Sequence, residues 1–227
     1  MSNKIQFLGH SFFKISIGKT NILIDPFFDN NPKQAKRLIK CPVSISSLKD
    51  IDLILVSHEH FDHFEKKSIE EIVRRERSLV FGHRSVLNEL DVRDSHKVNV
   101  DVAKNFNFEG IEISAFHVHH TNSFYPLGFH IKYKGFSLIH FGDSTLTDSL
   151  PKVRADNVII PIGGHGTFDV TDAVRIIKMI KPKIAIPCHF NTFDVIKVNV
   201  KDFHEKLRES KIDVKAVVLK PKQIHVC

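Results

Sequence analysis

Apolar residues fall in short runs along the first quarter of the chain. Residues 5–8, 12–17 and 22–24 are such runs, broken by Gly9-His10-Ser11 and Gly18-Lys19. This pattern predicts consecutive antiparallel strands. Asp25-Pro26-Phe27-Phe28-Asp29-Asn30-Asn31-Pro32 is turn chemistry, and Pro42 with residues 44–47 continues an irregular connection. Residues 52–56 are then almost wholly apolar, as a strand buried on both faces requires, and the run stops at Ser57-His58. From 68 to 77, Ile69, Ile72 and Val73 recur at helical spacing among Glu and Arg, which predicts a helix.

The alternation resumes with Phe106 and Phe108, Ile111 and Ile113, Phe129 and Ile131, and residues 136–141. Glu109-Gly110 and Lys134-Gly135 are the turns between them, so a second sheet is expected. Residues 157–162, a helix over 171–180 and residues 183–187 form a strand-helix-strand unit. Asp169 or Thr171 can cap that helix and Pro182 stops it. A further amphipathic helix is expected over 199–210. Two successions of strands then helices, with no low-complexity linker, predict two packed sheets covered by helices on the outside.

Composition changes this picture little. With 227 residues, 42% hydrophobic and 26% charged, the chain is ordinary for a globular protein. Nineteen Phe against two Tyr and no Trp favour dry packing over stacking platforms. Lys and Arg exceed Asp and Glu by seven, 33 to 26. The basic residues are scattered, so a solvated surface explains most of them, and nucleic acid is not the expected partner. Cys41, Cys188 and Cys227 are odd in number, far apart and never in C-x-x-C spacing, which argues for a reducing compartment and against a thiolate zinc site. The amino terminus has no long apolar stretch and no segment reaches 18 apolar residues, so a cytoplasmic protein with no membrane partner is expected.

The chemistry concentrates in Ser57-His58-Glu59-His60-Phe61-Asp62-His63. Three imidazoles and a carboxylate within six residues, at the end of a buried strand, point to a divalent metal site. His58 and His60 share a side of an extended backbone and can clamp one metal, while the turn into the helix redirects Asp62 and His63 toward a second. Residues 115–120, 141–144 and 187–190 also interrupt apolar sequence with His or Asp. They too are expected at strand ends, where sites in layered α/β proteins collect. Cys188 is expected to be a core thiol, because neighbouring strand residues point oppositely.

The ordered series Gly9-His10-Ser11, Ile24-Asp25-Pro26-Phe27, Ser57 to His63, Ala115-Phe116-His117, His140-Phe141-Gly142-Asp143-Ser144, Pro161-Ile162-Gly163 and His189-Phe190-Asn191-Thr192-Phe193 spans nearly the whole chain. In it the chain resembles the metallo-β-lactamase superfamily, and within that the small metal-dependent hydrolases related to ascorbate-phosphate lactonase. The resemblance implies a four-layer αββα sandwich, one α/β domain over residues 1–227. It implies that His58, His60 and His117 bind a first metal, that Asp62, His63 and His189 bind a second, and that Asp143 bridges them. Asp25 resembles the family's buried aspartate behind the metal loop, able to orient a ligand.

The segment after Phe116 departs from the family pattern. His117 and His119 lie on the same side of a strand, so His119 is the alternative third ligand, with His120 a spectator. His165, in a Gly-rich loop, is a candidate for substrate contact or proton transfer, as are His10 and Asn191 beside the matched motifs. Two cations can bring a bridging water to near-neutral pKa and polarise the scissile group. The expected activity is therefore hydrolysis by a metal-bound hydroxide of an ester, lactone, amide or phosphodiester in a small molecule, anionic ones included, with Asp62 and His165 as catalytic residues. Zinc is the default metal and manganese its rival. The competing readings are a nuclease and a non-catalytic or di-iron redox protein, and a homo-oligomer is compatible with either outcome.

Overall fold

The computed structural model describes residues 2–102, 104–147 and 153–227. Strands β1 (Lys4–Phe7), β2 (Phe13–Ile17), β3 (Thr20–Ile24), β4 (Leu53–Leu55), β5 (Leu79–Gly82) and β6 (Lys97–Asn99) build most of one sheet. The second sheet comprises β7 (Phe106–Phe108), β8 (Ile111–His117), β9 (Leu127–Tyr133), β10 (Phe136–His140), β11 (Asn157–Pro161), β12 (Ile184–Cys188) and β13 (Lys215–Ala216). The last strand, β14 (Ile224–Val226), returns to the first sheet beside β1. The orders are β14-β1-β2-β3-β4-β5-β6 and β13-β12-β11-β10-β9-β8-β7.

Both sheets are mixed. Strands β3 to β6 run parallel in one, and β10 to β13 in the other, while the remaining neighbours are antiparallel, all of them consecutive in sequence except β14 and β1. Helices α1 (Lys66–Glu76) and α2 (Arg84–Leu87) connect strands of the first sheet, and α3 (Val170–Ile180) and α4 (Val200–Glu209) those of the second.

Alternation along the strands sorts side chains into layers. Ile22, Ile24, Leu53 and Leu55 face Ile113, Phe129, Ile131, Ile159 and Ile186 in a core between the sheets. The interleaved Leu23, Ile54 and Val80 pack outward under Ile69, Ile72 and Val73 of α1. On the other side Val158 and Ile160 pack under Ala173, Ile176 and Ile177 of α3 and Phe203 of α4. Strands β4 and β11 are thus buried on both faces, which is why they read as unbroken apolar runs. The result is the expected four-layer αββα sandwich.

The predicted helices form at 66–76, 170–180 and 200–209, and Asp169 caps α3 by accepting the Asp172 N–H at 2.8 Å. Strands β5, β6, β13 and β14 are not predicted by the pattern. β14 is a three-residue edge strand with both apolar side chains, Ile224 and Val226, exposed, so its sequence carries no burial signal. No helix among the described residues is long and apolar enough to cross a membrane.

Candidate metal centre

The parallel strands deliver their carboxyl ends to one edge of the sandwich, and the polar motifs follow those ends. Asp25 follows β3, Ser57 and His58 follow β4, Asp143 follows β10, and His189 follows β12. After His60 the backbone closes a helical turn: the N–H groups of His63 and Phe64 both bond the His60 carbonyl, at 3.0 and 2.8 Å. That turn separates the extended His58–His60 stretch from Asp62 and His63, as the spacing predicts.

Three groups of side chains each offer ligand atoms within 4.8 Å of one another: His58, His60 and His120; His10, Asp62, His63 and His189; and His58, His63 and Asp143. Asp143 lies between the first two. Its Oδ1 is 3.3 Å from His63 Nε2, and its Oδ2 is 3.1 Å from His189 Nε2 and 3.5 Å from His120 Nε2. Asp62 Oδ2 lies 3.0 Å from His10 Nε2 and 4.0 Å from His189 Nε2.

A buried carboxylate orients this arrangement from behind. Asp25 Oδ1 accepts the Ser57 backbone N–H at 2.7 Å, and Oδ2 accepts both the Ser57 hydroxyl at 2.7 Å and His63 Nδ1–H at 2.8 Å. The Ser57 hydroxyl, having spent its proton on Asp25, accepts from His58 Nδ1 at 2.9 Å. Both rings are thereby fixed with Nε2 as the free nitrogen. His120 donates Nδ1–H to the Gly166 carbonyl at 2.8 Å, which leaves its Nε2 unprotonated, 3.0 Å from His60 Nδ1.

The donor set fits divalent cations on its own chemistry. His58 Nε2, His63 Nε2 and Asp143 Oδ1 are buried and have no hydrogen-bond partner among the described residues. His63 Nε2 and Asp143 Oδ1 meet as an ion pair at 3.3 Å but not as a hydrogen bond; buried polar atoms left so are costly, and a cation held by all three would satisfy them.

The electrostatics agree. Burial pushes His58 and His120 down, and takes His10 to about 4 with help from the neighbouring His189, so these rings are neutral and able to ligate. Burial alone would raise Asp62 and Asp143. The His10 hydrogen bond and the imidazoles outweigh it for Asp62, as His189 and His63 do for Asp143, and both are held below the ordinary range. His63 is raised despite burial because Asp143 and Asp25 flank it. Without metal, its proton supplies the positive charge that the carboxylates attract.

One expected ligand is displaced. His117 is exposed and its ring packs edge-on against Tyr125 at 4.3 Å, while His120 stands 5.0 Å from His58 and 4.8 Å from His60, ring centre to ring centre. His117 ends β8 on the same side as Ile113 and Ala115, but beyond the core, at the exposed end of the strand. His119 is also exposed and bonds Thr145 Oγ1 at 2.7 Å. Beyond the strand the chain leaves regular structure, and His120 turns back over the site. The histidine that the structure brings together with His58 and His60 is therefore His120, while His117 and His119 point elsewhere.

His10, undecided from sequence, faces Asp62. Asn191 instead bonds the backbone of Val198 through both side-chain atoms and belongs to the loop, not the centre. His165 is exposed, with φ 52°, next to the Gly166 carbonyl that holds His120. Cys188 is fully buried, and burial pushes its thiol up, as expected of a core residue. Glu59 has a role that its position between His58 and His60 does not reveal: its carboxylate accepts Phe124 N–H at 2.7 Å and Ser123 Oγ–H at 3.1 Å, and so holds the 122–126 loop.

Residues 4–189 match the model of a family described as the Beta-lactamase superfamily domain. A metal-dependent hydrolase of Sulfolobus acidocaldarius is 32% identical over 231 residues, covering 97% of each chain. Another from Thermoplasma acidophilum is 34% identical over 210 residues, covering 88% of each. Among solved structures, the metallo hydrolase Igni18 of Ignicoccus hospitalis superposes with a TM-score of 0.83 at 23% identity, covering 100% of this chain and 99% of that one.

Proposed function

The chain belongs to the β-lactamase superfamily, and on that footing we propose that it is a metal-dependent hydrolase acting on a small molecule through two divalent cations. His58, His60 and His120 would hold one cation and Asp62, His63 and His189 the other, with His10 beside Asp62. Asp143 would contact both. The observation that carries this reading is the position of Asp143, whose two oxygens lie within 3.1–3.5 Å of histidines from both groups.

Bound there, two cations supply Lewis acidity and lower the pKa of water toward neutrality. The chain does the rest. Asp25 and Ser57 keep the His63 and His58 rings in the ligating tautomer, and Asp62 and Asp143 stay ionised to receive charge. His165 is exposed and next in the chain to Gly166, whose carbonyl orients His120, and on this reading it would deliver a proton to a departing oxygen or nitrogen. Esters, lactones, amides and phosphodiesters all suit such a centre, and the lactone member of this range rests on the sequence resemblance. Zinc is the first candidate metal and manganese the second.

Elemental analysis of freshly purified protein, with a turnover screen across these bond types in zinc and in manganese, tests the reading. Two metal equivalents are expected, and turnover that falls at least a hundredfold in Asp143→Asn. Wild-type turnover in that variant, or a metal-free active protein, overturns it.

A further inference from the structure

An open groove adjoins the metal loop. It encloses about 530 Å³ and is lined by Phe28, Pro32, Phe61 and Phe64, with Lys66 and Lys67 at its rim. This volume falls within the range of small-molecule sites. Phe61 stands in the metal loop itself, between His60 and Asp62, and is half-buried. Its ring lies 6.0 Å from Phe27 and 5.9 Å from Phe193, and these two flank the His10 ring at 5.8 and 5.3 Å. Phe61 thus joins the groove to a buried aromatic cluster that packs against the His10–Asp62 side of the centre.

Two carboxylates, Asp29 and Glu65, and two lysines line the groove, so its formal charges balance. Glu65 is spent within the fold: it accepts the N–H groups of Phe28 and Asp29 and the Ser68 hydroxyl. Asp29 holds the Asn31 N–H. Lys67 has no partner among the described residues, and Lys66 is 3.9 Å from Glu70. The groove therefore offers an apolar floor next to the metal loop, with Lys66 and Lys67 among its lining residues.

Resting on the hydrolase reading above, we propose that this groove is the acyl subsite. It selects esters and lactones whose acyl part is an extended apolar chain over those of short acids. Apolar contact is favourable in proportion to the area removed from water, so each methylene that reaches the floor raises kcat/KM by about fourfold at most.

The test compares 4-nitrophenyl acetate, butyrate, hexanoate and octanoate with the metal-loaded protein. In parallel, the chelator-treated protein is titrated with 1-anilinonaphthalene-8-sulfonate, an apolar anion. The expected result is a rise of at least tenfold in kcat/KM from acetate to hexanoate. Phe64→Ala and Phe61→Ala should each lower the octanoate-to-acetate ratio at least fivefold. The dye should bind saturably and be displaced by octanoate but not by acetate. If no ester is turned over yet octanoate displaces the dye, the groove binds apolar acids but the acyl subsite falls, while the hydrolase reading, which also covers amides and phosphodiesters, stands. Turnover that is indifferent to chain length in the wild type, with no dye displacement by octanoate, overturns the acyl subsite.

Discussion

His63 donates its Nδ1 proton to Asp25 across 2.8 Å, in a pair with no solvent exposure on either side chain. The bond decides which nitrogen is left for a cation. Asp25→Asn keeps the shape, and Asn tolerates the left-handed backbone found here, φ 48°. Its carbonyl can still accept the Ser57 N–H, but its amide then turns a donor toward His63 Nδ1. The imidazole answers by moving its proton to Nε2, where it blocks ligation. Metal affinity should fall by roughly 10–100-fold with the fold intact, since substitutions behind a ligand act on this scale. Metal titration of the refolded, chelator-treated variant measures this, and unchanged affinity would refute the tautomer argument.

His120 and His117 make opposite predictions. Alanine at His120 removes an imidazole from the group with His58 and His60, so one metal equivalent should be lost and turnover should fall by a hundredfold or more. Alanine at His117 removes an exposed ring packed on Tyr125, and should keep both equivalents at a cost within about 1 kcal/mol of stability. Elemental analysis of the two purified variants settles which histidine ligates. Loss of metal from the His117 variant alone would reverse the assignment.

The difference between these histidines shows what was legible beforehand. His58, His60, Asp62 and His63 are contiguous, so their convergence follows from one strand end and one turn, both readable locally. The layers were legible for a similar reason: Leu23 and Ile54 alternate with inward neighbours over several residues. His120 lies three residues past the end of β8, and its direction is set by the carbonyl of Gly166, 46 positions away. His10 meets Asp62 across 52 positions, and Glu59 reaches its loop across 64 and 65. No periodicity encodes such contacts. Even Gly163 is legible only afterwards, because a Cβ there would stand 2.2 Å from the carbonyl oxygen of His189.

Metal removal should lower stability without unfolding the chain, because the three main apolar cores are built from side chains other than the ligands. A site at a thousandfold excess of metal over Kd contributes about 4 kcal/mol, so chelation should lower Tm by on the order of 10 °C. The chelated protein should also respond to pH in its own way. His63 titrates above its ordinary 6.5, so the stability from its charged form is complete below 6.5 and is lost as pH rises through the raised value. Tm of the chelated protein should fall on the alkaline side, and that of the loaded protein should not. Metal binding displaces the same proton, so apparent affinity should rise with pH. Calorimetry in buffers of different ionisation enthalpy counts the protons released, and a count of zero would contradict the charge assigned to His63.

His130 provides a test away from the metal centre. It lies mid-strand in β9, opposite Ser114 of β8 and Ile139 of β10, with Nε2 buried and without a hydrogen-bond partner among the described residues. Burial, with Lys132 assisting and Glu112 opposing, takes its pKa from 6.5 to about 4. The folded state therefore requires the neutral ring. As pH falls from 6.5 toward 4 the unfolded chain takes up a proton that the folded chain refuses, and stability drops across that window. Below 4 both states are protonated and this loss stops. His130→Leu removes both the titration and the unpaired nitrogen, so it should stabilise the protein by about 1 kcal/mol at pH 7. The margin should widen at pH 5. Urea denaturation of both chelated proteins at the two pH values measures it, and a margin that is the same at pH 5 and pH 7 would show that His130 is charged in the folded state.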